Sequence, residues 1–498
     1  MLGSGIYGFA ARRRHRQCAS MGAPPLTSVN VGAMSLERFA IVLRPEQLDE
    51  MQAGILQARH VFAGRTVWNV SSTARGGGVA EMLTTLLAYA RGIGVDARWE
   101  VIGGDAAFFA VTKRIHNRLH GFSGDGGPLG EAERDVYEAT LAPSGEALSR
   151  MIRSGDIVLL HDPQTAGLVP AVRACGVPVV WRCHVGADEP NALVREAWRF
   201  LEPYVAAADA TVFSRAAFVW EGLDPARVAI ITPSLDAFDP KNQLLDQPTV
   251  AAILAASGLR RESPTAPPAF TRMDGTVDLV RRRGKLIEER PLGAGDSFVA
   301  QVSRWDVLKD PAGVVAGFAE HIAPHCDAHL VYAGPDVEGV TDDPEGARVL
   351  GAVRAQWEGL PRELRVRIHL AVLPMVDQQE NAAIVNALQR AANVVVQKSL
   401  AEGFGLTVAE AMWKARPVAA SAIGGIKDQI EHGRSGLLLE EPSDLARFAE
   451  AVRSLLDDER AAAAMGVAAR ERVRDHFLGP RSLLDYLRLL EPLLRRSG

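Results

Sequence analysis

Cysteine is scarce in this chain. Cys18, Cys175, Cys183 and Cys326 are spread over 498 positions, and no two form a Cys-x-x-Cys pair. That spacing excludes the common zinc-knuckle and thioredoxin-type sites and suits reduced thiols in a cytosolic protein. Long apolar runs are missing too. Stretches such as DIVLLHD and ANVVVQKS have the length of a strand, whereas a bilayer span needs roughly 18 apolar residues. There is no basic excess: the formal net charge is -5 and the pI about 6.2. This argues against a nucleic-acid partner and against docking on an anionic membrane surface.

What is present is an ordinary globular composition, 47% hydrophobic and 23% charged, in a chain long enough for two or three domains. Residues 1–33 stand apart. Their basic stretch RRRHR is followed by no apolar core, so it is a poor secretory signal. The segment reads as a disordered tail or a mis-called start, with Met21 or Met34 as alternative first residues. From Arg65 onward, short β-branched runs alternate with amphipathic stretches, through RTVWNVSS, VAEMLTTLLAYARGIG, ARWEVIGG, DIVLLHDP, VPVVWRCH and DATVFSR to VAIITPSLD. The series breaks over residues 237–295, which are rich in Pro, Arg and Asp; a linker is expected between about 236 and 250, and loop after it. The alternation restarts at SFVAQVSRWD and ends in three helices. Two such series predict an α/β protein of two similar doubly wound domains, 34–240 and 241–478, facing a cleft.

In open α/β sheets ligands sit at the carboxyl ends of the strands. The polar loops here fall there: STARGGGVAE, HDPQTAG, WRCHVGAD, SRWDVLKD and SLAEGFGLTVAE. In the last, a Gly403-Phe404-Gly405 turn precedes a helix starting near Leu406 and Thr407, with Glu402 before it and Glu410 one or two turns in. Free N–H groups at such a helix start favour an anion, and glycine lets a phosphate approach closely. Carboxylates beside a phosphate are better placed to accept from sugar hydroxyls than to touch it; the alternative is an acidic first turn that merely complements the helix dipole. Arg304 and Lys309 could supply charge to a departing diphosphate or be two surface cations. Gly76, Gly77 and Gly78 open a helix after a strand but lack the G-x-G-x-x-G spacing. A dehydrogenase with Glu100 as its acidic partner stays formally open. His161, Asp162 and His184 end adjacent predicted strands, and with Cys183 they match no common zinc pattern. A hydrolase using Glu402 and Glu410 as acid and base leaves Arg304, Lys309 and the glycines without a role. A non-catalytic sugar-nucleotide sensor and a lipid- or wall-directed transferase are the other rivals.

The two glutamates eight apart, the Gly-Phe-Gly between them and the Gly pair after the next strand resemble the signature of retaining GT-B glycosyltransferases of family GT4. STARGGGVAEML, ARWEVIGG, FFAVTKRIHNRLHG, LHDPQTAGL, WRCHVGAD and VVQKSLAEGFGLTVAEAMWKARPV further resemble trehalose synthases of the glycosyltransferring type, over about residues 36–490. GT4-type trehalose phosphorylases share much of this pattern. The segment GGIKDQI departs from it at Lys427 and Asp428.

The resemblance implies a GT-B fold whose last helix, within 479–498, returns to the N-terminal domain, with the nucleotide sugar bound by the second domain. It implies glucose transfer from ADP-glucose or UDP-glucose to free glucose. Arg304 and Lys309 would hold the diphosphate, Glu402 the donor glucose, Glu410 the ribose and His184 the donor sugar's 6-hydroxyl. Gly76–Gly78, Gly405, Leu406 and Thr407 would line the donor, and Asp162, His161, Lys113 and Arg114 the acceptor; Lys113 and Arg114 are equally open to being solvated. No resident metal and no tightly bound cofactor are expected, Mg dependence stays open, and so does a homodimer. Small-molecule sugars are the expected partners and the cytoplasm the expected location.

Overall fold

The protein is described by a computed structural model over residues 24–74, 78–337 and 344–496. Its first sheet is built from β1 (Leu26–Val29), β2 (Thr66–Ser71), β3 (Asp96–Ile102), β4 (Ile157–His161), β5 (Val179–Cys183), β6 (Ala210–Phe213) and β7 (Val228–Ile230). They lie in the order β1-β3-β2-β4-β5-β6-β7, and all neighbours but β1 and β3 run parallel. Every residue of β2, β4 and β5 is buried, because helices cover both faces of a parallel sheet. That is why these strands appear in the sequence as nearly unbroken apolar runs.

The expectation for residues 1–33 needs correction in part. Residues 1–23 lie outside the described residues, but Leu26–Val29 forms β1, antiparallel to β3, with Leu26 opposite Ile102 and Val29 opposite Trp99. Ser28 Oγ donates to Glu100 Oε1 at 2.7 Å, and the Pro25 carbonyl accepts from Gly103 N at 2.9 Å. Four residues carry too little periodicity to announce a strand; pairing with the edge of β3 makes it one.

The segment expected as loop after the linker is also more ordered. It holds the helix Gln247–Ser257, capped by Asp246 accepting from Thr249 N at 2.9 Å and packed on the helix Gln378–Ala391. A hairpin of β8 (Ala269–Thr271) and β9 (Val277–Leu279) follows. The second sheet contains β10 (Lys285–Ile287), β11 (Phe298–Val302), β12 (His329–Pro335), β13 (Ile368–Leu373), β14 (Val394–Gln397), β15 (Val418–Ser421) and β16 (Leu437–Leu439). Its order is β10-β13-β12-β11-β14-β15-β16, parallel except at β10.

Each sheet has one place where the chain reverses its direction of winding: between β2 and β4 in the first, and between β11 and β14 in the second. A crevice opens outside the strand ends at such a place. The two crevices face each other. A Cβ on Gly78 would stand 3.1 Å from Leu406 Cδ1, and one on Gly403 would stand 3.4 Å from the His184 carbonyl oxygen.

The chain returns to its first domain at the end. Leu235 N donates to the Phe477 carbonyl at 2.8 Å and Gly479 N to the Leu235 carbonyl at 3.1 Å, beside the outgoing linker. The helix Gly479–Arg496 then packs on the helices Pro45–Val61 and Gly78–Gly92. It approaches the first so closely that a Cβ on Gly54 would meet Leu484 Cδ2 at 2.2 Å. Leu494, 3% exposed, belongs to this seam. Leu494→Ala is expected to cost about 2–4 kcal/mol, seen as a lower urea midpoint for the first domain.

Candidate active site

The second sheet contributes the charged half of the site. After β11, Trp305 anchors the turn through Nε1 donating to the Pro335 carbonyl at 2.9 Å. Asp306 accepts from Leu308 N at 2.8 Å and shapes the short turn Val307–Lys309. Lys309 Nζ then reaches Glu402 Oε2 at 2.6 Å. Beneath this contact the fully buried Gln301 donates to the Lys309 carbonyl at 2.8 Å and accepts from Lys398 N at 3.0 Å, tying the loop after β11 to the loop after β14. Asp310, held at a left-handed φ of 49°, caps the next helix by accepting from Gly313 N at 3.0 Å and pairs with the buried Lys398. Arg304 pairs with Asp306 at 2.9 Å, and its side chain stays 61% exposed. It is the exposed cation of the set.

Glu402 owes its position to close backbone packing. Gly405 has φ 83° and starts the helix Leu406–Trp413. Gly425 N donates to the Gly403 carbonyl at 2.8 Å, and Gln429 Nε2 to the Phe404 carbonyl at 2.5 Å. Thr407 Oγ1 donates to Gln397 Oε1 at 3.1 Å. Glu410 is buried; one carboxylate oxygen lies 3.6 Å from Lys241 Nζ, and the other has no hydrogen-bond partner among the described residues. Lys241 also pairs with Glu81 at 2.9 Å. Burial works against its charge, yet Glu410 and Glu81 hold it above the usual lysine range.

The first sheet contributes neutral groups. His161 closes β4, and Asp162 follows with φ 65°. Asp162 Oδ1 accepts from His184 N at 2.8 Å, and burial pushes its carboxyl up to about 7 against the pull of that N–H and of Arg182. The His161 and His184 rings meet at 3.4 Å between Nδ1 and Nε2, and His161 Nε2 lies 3.1 Å from Asn69 Oδ1. Burial holds both imidazoles neutral, His161 down at about 3 and His184 well below its usual value.

Gly76 and Gly77 lie outside the described residues; Gly78 opens the helix Gly78–Gly92. Lys113 is exposed on the helix Ala106–Leu119, and Arg114 is occupied by Asp125 at 2.6 Å and by the Pro128 carbonyl. The same helix brings two residues that the sequence did not single out. His120 lies where both Glu402 and Lys309 act on its titration, and His116 where Arg304 does. Burial holds them at about 4 and about 3. His116 Nδ1 is buried without a hydrogen-bond partner among the described residues. Their i, i+4 spacing on one helix was the available signal.

Across the cleft, Arg215 of the first domain pairs with Asp428 at 2.9 Å and donates to the Gly424 carbonyl, and Gly424 N donates to Asp188 Oδ2 at 3.1 Å. Lys427 lies 3.4 Å from the same Asp188 oxygen. The two departures in GGIKDQI therefore sit in an ion cluster between the domains.

Two facing doubly wound domains, with charged strand-end loops on one side of the cleft and neutral polar ones on the other, define a GT-B glycosyltransferase. Residues 69–220 match the family model "Trehalose synthase, N-terminal domain", and residues 284–472 match "Glycosyl transferases group 1". The trehalose synthase of Rubrobacter xylanophilus is 34% identical over 94% of this chain and 99% of its own length. The chain belongs to the trehalose synthase family. A trehalose phosphorylase of Grifola frondosa is 26% identical over 81% of the chain, which spans 54% of that protein. Among solved structures, the sucrose-phosphate synthase of Thermosynechococcus elongatus superposes with a TM-score of 0.60 at 18% identity, over 87% of this chain and all of that one. It shows the fold. No described helix is long and apolar enough to cross a membrane.

Gly424 is the tightest point of the site: its φ is 49°, and a Cβ there would stand 2.0 Å from the Glu402 carbonyl oxygen. Gly424→Ala is expected to displace the Glu402 turn at a cost of about 1–3 kcal/mol, visible as a lowered thermal midpoint.

Proposed function

We propose that the protein transfers glucose from a nucleoside diphosphate glucose to the anomeric hydroxyl of free glucose, with retention, giving α,α-trehalose and the nucleoside diphosphate. The observation that carries this reading is the Lys309–Glu402 contact at the mouth of the Gly405–Leu406 helix start, facing His184 and His120. A fixed cation, a helix N-terminus and a carboxylate in one place suit a ligand that is phosphate at one end and sugar at the other.

In this reading Lys309 and Arg304 hold the diphosphate, with the amides of Gly405, Leu406 and Thr407 and Gly78 around it. Glu402 accepts from hydroxyls of the donor glucose. Glu410, with one buried oxygen unpartnered among the described residues, accepts from the ribose. His184 donates to the 6-hydroxyl of the donor sugar. Asp162, and His161 behind it, face the acceptor, with Lys113 at the outer wall. The C1–phosphate oxygen bond breaks while the acceptor oxygen bonds C1 from the same face, and the acceptor's proton passes to the leaving phosphate oxygen. Lys309 and Arg304 stabilise the charge that develops there, and no protein nucleophile is required. The protein works as a cytoplasmic enzyme on small sugars.

The test is direct. Purified protein with ADP-glucose or UDP-glucose should form a non-reducing disaccharide and free nucleotide only when glucose is present, and the better donor names the base. Glucose 1-phosphate from trehalose and phosphate, with no trehalose from either nucleotide sugar, would replace this reading with phosphorolysis.

The ionisation of Asp162 gives a second expectation. Its carboxyl, raised to about 7 by burial, accepts most strongly from acceptor hydroxyls when it is charged. A raised acid is protonated below its pKa, so kcat/KM for glucose should fall about tenfold per pH unit below about 7. Asp162→Asn should lose most activity and flatten that acidic limb.

A further inference from the structure

Arg182, in the middle of the VVWRC strand β5, is fully enclosed. Among the described residues no carboxylate forms an ion pair with it. Its partners are uncharged: Nε donates to His184 Nδ1 at 3.3 Å, Nη1 to the Tyr486 hydroxyl and Nη2 to the Ile231 carbonyl at 3.0 Å. The Tyr486 ring also stacks near it, 5.4 Å from Cζ to the ring centroid. Burying an unpaired guanidinium is costly, and a purely structural site would be served as well by an apolar side chain.

We propose that Arg182 is a positioning residue that fixes His184 as the neutral Nε2–H tautomer, a hydrogen-bond donor toward the donor sugar, and that Tyr486 of the returning helix holds Arg182 to that role. This rests on the reading above that His184 touches the donor glucose.

The assignment follows from donor and acceptor rules. Arginine only donates, so His184 Nδ1 must accept, and the ring proton is on Nε2. That N–H faces His161 Nδ1 at 3.4 Å, at the far limit of a hydrogen bond, so little is lost when it turns to a sugar hydroxyl. His161 is polarised the same way, its Nε2–H donating to Asn69 Oδ1 at 3.1 Å. The chain Arg182→His184→His161→Asn69 thus has one direction, set at the end that cannot reverse. Burial keeps both rings neutral, and the Arg182 charge adds to this. A neutral imidazole without that neighbour would present a lone pair or an N–H to the ligand; beside Arg182 it presents the N–H. Lysine would keep the charge but not the three-way fork that fixes the guanidinium plane.

The test has two readouts on the full-length protein. In wild type, long-range 1H–15N spectra of the histidine side chains should show His184 with an unprotonated Nδ1 and a protonated Nε2. In Arg182→Lys the two nitrogens should average, and in Tyr486→Phe they should move part of the way; the milder variant covers the case in which Arg182→Lys does not fold. With nucleoside diphosphate glucose, kcat/KM should fall about tenfold in Arg182→Lys, the loss expected for one hydrogen bond. With the 6-deoxyglucose donor, wild type and variant should be nearly equal. Unchanged His184 nitrogen shifts in both variants would overturn the proposal. Changed shifts with the same tenfold loss on both donors would uphold the tautomer assignment and overturn the contact between His184 and the 6-hydroxyl.

Discussion

The 2.6 Å contact between Lys309 Nζ and Glu402 Oε2 joins the two loops that leave the second sheet where its winding reverses. Everything near it serves that contact. Gln301 ties both loops from below, Lys398 and Asp310 neutralise each other beside it, and the Gly pair at 424 and 425 presses on the Glu402 turn from the far side. A half-buried cation and a half-buried carboxylate are each costly alone and tolerable as a pair. The pair therefore keeps both charges in place before a ligand arrives. An anionic group entering at the helix start meets a lysine already held in place by Glu402, so little reorganisation is left to the moment of reaction.

The two halves of the cleft divide the electrostatics. The second domain holds groups in ion pairs, namely Lys309 with Glu402, Arg304 with Asp306 and Lys241 with Glu410. The first domain holds groups that burial keeps neutral or close to it, namely His161, His184 and an Asp162 raised to about 7. A doubly charged phosphate ligand and an uncharged sugar would sort themselves accordingly. Arg182 is the charge that acts on all three of these groups. It lies behind the histidines, and what it passes to the cleft is the orientation of a proton on His184.

The sequence carried the fold well because parallel strands buried on both faces write themselves as apolar runs, and because the polar loops fall at their carboxyl ends. It singled out Glu402 and Glu410 through local spacing, and Arg304 and Lys309 through their place in a strand-to-helix loop and the family resemblance. It could not show that Lys309 and Glu402 touch, since the two, 93 positions apart in the chain, become neighbours only through the pairing of β11 with β14. Lys113 and Arg114 looked alike as adjacent cations; the tertiary structure engages Arg114 with Asp125 and leaves Lys113 exposed. The strand β1 and the helix Gln247–Ser257 were missed for a related reason. Each becomes an element by packing on residues remote in the chain, β3 for one and the helix Gln378–Ala391 for the other.

The cluster of Arg215, Asp188, Lys427 and Asp428 extends this logic across the cleft. Any opening between the domains must break the Arg215–Asp428 pair and the Gly424 N–H contact to Asp188. Gly424 is also the residue whose missing side chain lets the Glu402 carbonyl approach. One loop thus meets the opposite domain on one side and supports Glu402 on the other. Its backbone N–H and carbonyl are both engaged by the first domain, so the loop has little freedom to shift while the domains are together. The same loop therefore joins the contact between the domains to the Glu402 backbone. Lys427, one of the two departures in GGIKDQI, adds its charge to this cluster 3.4 Å from Asp188.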